Sequence, residues 1–411
     1  MAERPASLEE KGGNTVVTTV WVTRALVAAM CLHLVTGLVA FLNAPNPAGD
    51  FDRYFEIAGG VGRPYVDYQV EHPIGTWLVF KALRSVAGGR ASFARGVVTL
   101  NACADAVIVL SLFWAWGPAA ATYYAVVSAP VSSLLFNRID LWSMAAATLA
   151  VAAWRQRRSY WSAGALAVGA SLKLWPLVFA TGLLPSRQHR GQRGAAIVFV
   201  LSAGALAALA LRVAGQRSVL EVLTFRGSTG WQIESVVGGA LHLIGWGPIR
   251  LESGSWRIGT LNGATSIALF AAAAPVCIWS TWRGFGGRAP GTAWLAAVAT
   301  LLSLSALFSA QFIGWLVPGG ALAWNEGRYR RAVLAACAVF LTQAFWLFYD
   351  DVIVGARYAL ALVVVRNAVV IALAIEAVTA LAPARALRSG LEADLQPQLP
   401  PVRVVERSER G

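Results

Sequence analysis

The chain has 411 residues, 57% of them hydrophobic and 13% charged, with a mean hydropathy of +0.58. Soluble domains carry about 45–50% apolar and about 25% charged residues, so these values exclude an ordinary soluble enzyme, a disordered protein and a disulfide scaffold. At about 20 residues per crossing there is room for roughly ten to twelve membrane spans and for no separate soluble domain.

The net charge of +13 rests almost wholly on arginine, with lysine only at Lys11, Lys81 and Lys173. Together with the abundant Ala and Gly, this usage fits a GC-rich bacterial genome. The arginines sit in short loops between apolar runs. The positive-inside rule produces that pattern, so no nucleic-acid partner is expected. Cys31, Cys103, Cys277 and Cys337 lie in apolar runs without CxxC spacing, which argues against a disulfide framework or a zinc site.

In chain order, the first apolar run, 19–42, is too long for the apolar part of a signal peptide. It ends in Asn43-Ala44-Pro45-Asn46-Pro47 without an Ala-x-Ala site and reads as the first span. Segment 43–72 is then the first extracytoplasmic loop. The basic clusters 84–95, 155–158, 187–193, 283–288 and 328–331 are assigned to the cytoplasmic side. From Arg187 onward the spans alternate cleanly: 195–213, 259–281, 293–307, 313–324, 332–348 and 352–378. Segment 214–258 is an outer loop with a short interfacial or re-entrant helix over 236–244. Residues 1–385 form one transmembrane domain, and 386–411, polar and proline-containing, a disordered cytoplasmic tail.

Two places break the count. Three apolar runs lie between Arg95 and Arg155 where an even number is needed, and one lies between Arg158 and Arg187 where two are needed. Each holds a polar interruption, Asn137-Arg138-Ile139-Asp140 and Lys173-Leu174-Trp175-Pro176. Half-helices meeting inside the membrane are expected to resolve both. Non-helical backbone at that depth is tolerated only where it is buried in protein or lines a wet cavity, so Arg138, Asp140 and Lys173 are expected to line one.

Of the acids in the body of the chain, only Glu326 falls in a loop assigned to the cytoplasm, while Asp105 and Glu376 lie within spans. Asp50, Asp52, Glu56, Asp67, Glu71, Asp140, Glu221, Glu234, Glu252, Asp350 and Asp351 fall on, or reach, the outer side. Acidic residues contribute little to topology, so this asymmetry points to chemistry on the outer face. Asp50 to Glu56 opens a short surface helix, where acids in the first turn also favour the helix dipole. The stretch from Arg63-Pro64-Tyr65 to Glu71-His72-Pro73 is turn-rich and aromatic, a composition suited to carbohydrate.

The pattern Asp50-x-x-x-Tyr54, Gly62-Arg63-Pro64-Tyr65 and Glu71-His72-Pro73 resembles the first extracytoplasmic loop of GT-C membrane glycosyltransferases. The best match is the polyprenol-phosphate-mannose-dependent α-mannosyltransferases, glycosyltransferase family 87. Phe136-Asn137-Arg138-Ile139-Asp140-Leu141-Trp142 and Lys173-Leu174-Trp175-Pro176 are similar to that family's middle section. Phe225-Arg226, Gln232-Ile233-Glu234-Ser235, the stretch from Ser309 to Pro318 and Arg366-Asn367 are similar to its later landmarks. Family loops often end in a tyrosine and two prolines; here His72-Pro73-Ile74 stands in that place.

The resemblance implies an all-α, polytopic GT-C-type bundle and an inverting transfer of a hexose, mannose first, from a polyprenyl-phosphate donor to a lipid or polysaccharide acceptor. It implies no cofactor and no required divalent metal, a monomer surrounded by membrane lipids, and the bacterial plasma membrane as location. Such a transition state is oxocarbenium-like and needs a carboxylate base and cations for the leaving phosphate. By the family position, Asp50 is the base, with Asp52 the second choice because it faces elsewhere on a helix. Substrate contacts are expected from Tyr54, Tyr65, Glu71, His72, Arg138, Asp140, Lys173, Arg226, Glu234 and Gln311. Plainer roles stand beside these. Asp50 reads also as a helix cap, Lys173 as a snorkelling lysine, and Arg138 with Asp140 as a buried pair. Trp315 reads also as an interfacial residue, and His72 as a loop hydrogen-bond partner. A transporter or lipid flippase is the rival class, since broken helices and intramembrane charge suit it as well.

Overall fold

The computed structural model describes residues 9–44, 50–183, 192–223, 228–287 and 289–382, apart from the side chains of 9–19, 192 and 263. Helix α1, Glu9–Asn43, is followed by a short helix α2, Asp50–Gly59, an irregular loop, and α3, Ile74–Val86. Then come α4, Arg90–Trp116; α5, Pro118–Ser128; a 3-10 turn, Ala129–Val131; and α6, Ser132–Phe136. Helices α7, Asp140–Arg155, and α8, Ser159–Leu172, form a hairpin that runs into a second 3-10 turn, Trp175–Phe179, and α9, Ala180–Leu183. Helices α10, Gln192–Ala214, and α11, Arg217–Leu223, precede a small three-stranded antiparallel sheet in the order β1-β3-β2. Its strands are β1, Trp231–Gln232; β2, Ile249–Glu252; and β3, Ser255–Ile258, with α12, Val236–Leu243, between the first two.

The chain then forms α13, Gly263–Gly286; α14, Pro290–Ser303; a 3-10 turn, Ala310–Trp315; and α15, Leu316–Asn325. It closes with α16, Tyr329–Trp346; α17, Tyr349–Val354; and α18, Arg357–Leu381. Among the described residues six helices are long and apolar enough to cross a membrane. The expected polytopic, helical bundle is borne out. The small sheet in the outer loop was not foreseen.

Proline explains the breaks. Pro176 lacks an N–H and its ring excludes the carbonyl four residues back, and α8 stops at Leu172, four residues before it. Lys173 is therefore extended, at φ −150° and ψ 146°. Pro130 has the same effect between α5 and α6. Asn137 and Ile139 sit near ψ 0°, so the chain turns once between α6 and α7.

Side-chain contacts separate two ends of the bundle. At one end Gln156 donates to the Trp114 carbonyl at 2.9 Å, the Tyr123 hydroxyl reaches Ala332 O, and Glu326 Oε1 accepts from Gly291 N–H at 2.7 Å. Arg331 lies 3.5 Å from Glu376 there. At the other end Arg90 pairs with Asp52, the Arg84 guanidinium lies 4.3 Å from the centre of the Phe55 ring, and Arg95 lies over Phe41 at the end of α1.

The last three contacts correct the expected topology. Cluster 84–95 lies with Asp52 and not with the arginines of 155–158 and 328–331. Residues 50–89 therefore stay on one side, and α4 starts its crossing there. The three runs α4, α5–α6 and α7 are then the odd number required, and no half-helices are needed between Arg95 and Arg155. The second irregularity is resolved as expected. After α8 the chain turns at Lys173 and returns through Trp175–Phe179 and α9, which pack on the Phe285 end of α13. Besides the six long apolar helices, shorter ones such as α7, α8 and α14 run between the two ends of the bundle.

From Val20 on, α1 is largely exposed but is tied in at mid-length. His33 Nδ1 lies 2.8 Å from Asp105 Oδ2, and the Tyr124 hydroxyl donates to Asp105 Oδ1 at 2.7 Å, which joins α1 to α4 and α5. Deeper in, α14 from Ala293 to Ala299 is fully buried apolar side chains between the two ends.

Candidate active site

The site is assembled from three helix ends and two loops. Helix α2 begins at Asp50, and its apolar residues Phe51, Tyr54, Ile57 and Ala58 are buried, which fixes the helix along the end of the bundle. Asp50 and Asp52 then point to different partners. Asp50 forms an ion pair with Arg138 and accepts from the Tyr54 hydroxyl at 3.1 Å, while Asp52 pairs with Arg90. The divergence expected of residues two apart on a helix is present.

The α6–α7 turn supplies Arg138 and the start of α7 supplies Asp140, which is 1% exposed. Lys173, at the α8 break, donates to Asp140 Oδ1 at 2.6 Å. Trp315 Nε1 donates to the same oxygen at 2.8 Å. The Lys173 ammonium lies 4.5 Å from the centre of the Phe312 ring and 5.4 Å from that of Trp315, and Trp315 stacks on Trp175 at 4.9 Å. Position 173 is thus a cation boxed by one carboxylate and two aromatic faces, which rules out a snorkelling lysine. The alternative of an Arg138–Asp140 pair is corrected as well. Arg138 takes Asp50, and Asp140 takes Lys173.

Close approach of α3 to α8 requires Gly75. A Cβ there would fall 2.6 Å from the Ser171 carbonyl oxygen. The contact lets the Thr76 hydroxyl donate to Leu172 O at 2.6 Å, satisfying one free carbonyl at the end of α8. It also seats the loop before α3. Within that loop Arg53 holds Glu71 in a fork, at 3.3 and 3.1 Å, and donates to Gln69 O at 2.7 Å. Tyr65 is buried, with φ +65°, and its hydroxyl donates to His72 O at 2.7 Å. Tyr65 and Glu71 therefore shape the loop. His72 packs its ring against Tyr54 and Phe80, and its Nε2 has no hydrogen-bond partner among the described residues. Burial holds the His72 imidazole down at about 4, outweighing the Glu71 carboxylate, so it is neutral at ordinary pH. Burial, and then the carboxylates of Asp140 and Glu71, push the Tyr54 phenol well up.

The outer loop closes the other flank. Gly238 is required by the tight turn after β1, where a Cβ would overlap the Gln232 carbonyl. Ser235 caps α12 by accepting from Gly238 N–H at 3.1 Å. This turn places Glu234, 2% exposed, where Gln232 Nε2 donates to it at 2.7 Å and the Tyr349 hydroxyl hydrogen-bonds it. Arg366 and Asn367 of α18 donate to the Glu234 carbonyl at 2.7 and 3.3 Å. Burial pushes the Glu234 carboxyl up, against the Tyr349 hydrogen bond and the charges of Arg366 and Arg138.

Asp50, Tyr54, Glu71, His72, Arg138, Asp140, Lys173 and Glu234 therefore gather at one end of the bundle. Gln311 is half-buried on the same 3-10 turn as Phe312 and Trp315. Arg226 lies outside the described residues. Phe312 and Tyr349 were missed by sequence reasoning. An aromatic one turn from Trp315, and a tyrosine directly before the outer Asp350-Asp351 pair, were the available signals. Among the described residues no group of three or more His, Cys, Asp or Glu side chains is placed to hold a metal ion. Beside Asp50 and Arg138 lies a groove of about 160 Å³, lined by Ala40 and Asn43 of α1, Phe51 and Asn137.

A multi-pass helical membrane protein with acids and cations gathered at one end is the class that fold and site define. The profile of glycosyltransferase family 87 matches residues 72–309, more than half of the chain, and the chain belongs to that family. It is a membrane glycosyltransferase. Among solved structures, the crystal structure of ArnT from Cupriavidus metallidurans in the apo state is similar, at 14% identity and a TM-score of 0.43, covering 93% of this chain and 82% of that one. No curated protein matches the chain.

Proposed function

We propose that the protein transfers a hexose, with mannose the first candidate, from a polyprenyl-phosphate donor to a lipid or polysaccharide acceptor on the outer face of a bacterial plasma membrane. The observation that supports this most is the meeting of a loop carboxylate, Asp50, with Arg138 beside a second buried cation, Lys173. A single displacement at an anomeric carbon needs that set.

The acceptor hydroxyl attacks the anomeric carbon from the face opposite the phosphate. Its oxygen forms the new glycosidic bond, and the bond from carbon to phosphate oxygen breaks. The electron pair leaves with the polyprenyl phosphate, and the hydroxyl proton passes to Asp50. One displacement inverts the configuration. Arg138 and Lys173 stabilise the phosphate as its charge grows, each by charge-assisted hydrogen bonds. Protein cations serve one leaving phosphate, so the reaction as proposed requires no divalent metal. Trp315 is stacked between Trp175 and Phe312, so these rings fix Lys173 in place beside the sugar. The groove beside Phe51 and Asn137 lies on a flank of α1, where Val35, Val39 and Leu42 are exposed, and it suits a lipid chain whose phosphate sits at Arg138.

The test is purified protein supplied with radiolabelled polyprenyl-phosphate sugars and membrane-extract acceptors. Transfer from at least one of these donors is expected. Transfer from nucleotide sugars, with none from lipid-phosphate sugars, overturns the reading.

A further inference from the structure

The turn that follows α12 is an apolar tip. Gly245 and Gly247 adopt φ +70° and +87°, which throws out Trp246 between them. Ile244 is 69% exposed and Trp246 66%, and Leu251 on β2 is exposed as well. Nothing in the proposed transfer uses these side chains. Exposed apolar surface this concentrated marks an interaction site.

The fold says what covers it. His242 Nε2 lies 2.8 Å from Val352 O, and the Gly355 position lies against the His242 ring, so the tip is held to the junction of α17 and α18. That junction is where α18 starts its crossing at Arg357. Around it Leu347 and Phe348 at the end of α16, Val354, and Tyr358 at the start of α18 are also exposed. The tip is thus continuous with lipid-facing surface, at the level where a span meets headgroups. Trp and Tyr are enriched at that level because their rings are amphipathic.

We propose that the Ile244–Trp246 tip is a membrane anchor, seated in the headgroup and upper acyl layer of the leaflet on the site's side. The occupant is lipid and not a second protein. The anchor has a consequence for the site. The segment from Trp231 to Ile258 carries Gln232 and Glu234 as well as the tip, and Glu234 lies only two residues before the start of α12. Seating the tip therefore sets the height of the Glu234 carboxylate above the bilayer. If the proposed lipid-linked transfer holds, the anchor registers the site with the sugar heads that such lipids display.

The test reads depth and needs no activity. In a background with Cys31, Cys103 and Cys337 replaced, Trp246→Cys or, as a second position, Ile244→Cys carries an environment-sensitive fluorophore in lipid nanodiscs. Nitroxide lipids labelled near the headgroup are expected to remove most of the fluorescence, while aqueous iodide removes little. A label at Arg63→Cys is expected to show the reverse. Quenching by iodide and not by nitroxide lipid at both tip positions overturns the anchor. Shielding from both quenchers overturns it too, since another protein then covers the tip. Neither outcome bears on whether lipid-phosphate sugars are donors.

Discussion

Arg138 pairs with Asp50, eighty-eight residues earlier in the chain, and leaves Asp140, two residues on, to Lys173. Two carboxylates and two cations from three separate segments are thus matched crosswise. The Lys173–Asp140 pair is buried, with side chains 15% and 2% exposed, so it is screened little by solvent. Under the proposed reaction, the donor phosphate has two cations to engage, each already positioned by a carboxylate.

The first prediction concerns Asp50. In Asp50→Asn the side chain keeps its shape but cannot take the acceptor proton, so single-turnover transfer should fall by about 10²–10⁴-fold. Donor affinity should hold or rise, because Arg138 loses its competitor. Asp52→Asn should cost less, since Asp52 is half-exposed and paired with Arg90 away from Arg138. Near wild-type turnover by a folded, donor-loaded Asp50→Asn protein would remove Asp50 as the base.

Lys173 allows a test that separates binding from folding. Lys173→Met alone leaves Asp140 buried and unpaired, a defect worth about 3–5 kcal/mol. Adding Asp140→Asn removes the orphaned charge and should recover most of the thermal stability. Donor affinity should stay low in the double variant, because the phosphate still lacks its cation. Donor binding restored along with stability would make the pair purely structural.

Sidedness gives a third prediction, on which sequence and structure disagree. Gly88 lies in open space between α3 and α4, and structure puts it on the same side as Asp52. In a background without the exposed native cysteines, Gly88→Cys should react with an impermeant maleimide added outside cells, and Arg330→Cys should not. Equal protection of both returns 84–95 to the cytoplasmic side.

His72 makes stability depend on pH. Its folded value near 4 lies below the unfolded 6.5, so between those values the unfolded chain binds the extra proton. Stability should therefore fall as pH drops from about 6.5 to 4, by about 3 kcal/mol at most for that shift. His72→Phe should flatten that part of the profile of thermal-inactivation temperature against pH. An unchanged slope would mean that His72 is not buried neutral.

Much of this was legible in sequence. The breaks at Asn137–Asp140 and Lys173–Pro176 followed from polar residues and proline inside apolar runs, and they did place Arg138, Asp140 and Lys173 at the site. The helix periodicity separated Asp50 from Asp52 correctly. The partners of those charges were not legible, because the Asp50–Arg138 pair depends on how α2 lies across the bundle. Charge counting failed at 84–95 because Arg90 is matched by Asp52, and a paired arginine says little about which side of a membrane it occupies. The sheet around Glu252 was missed because its strands are at most four residues long.

The Asp50–Arg138 pair also sets what the site does when nothing is bound. A carboxylate held by a guanidinium is a poor proton acceptor, so the empty site carries its own safety catch. Under the proposed reaction, only a lipid phosphate drawing Arg138 toward itself releases Asp50. Donor binding and readiness of the base are then one event, and the acceptor hydroxyl meets a free carboxylate only in a donor-loaded site.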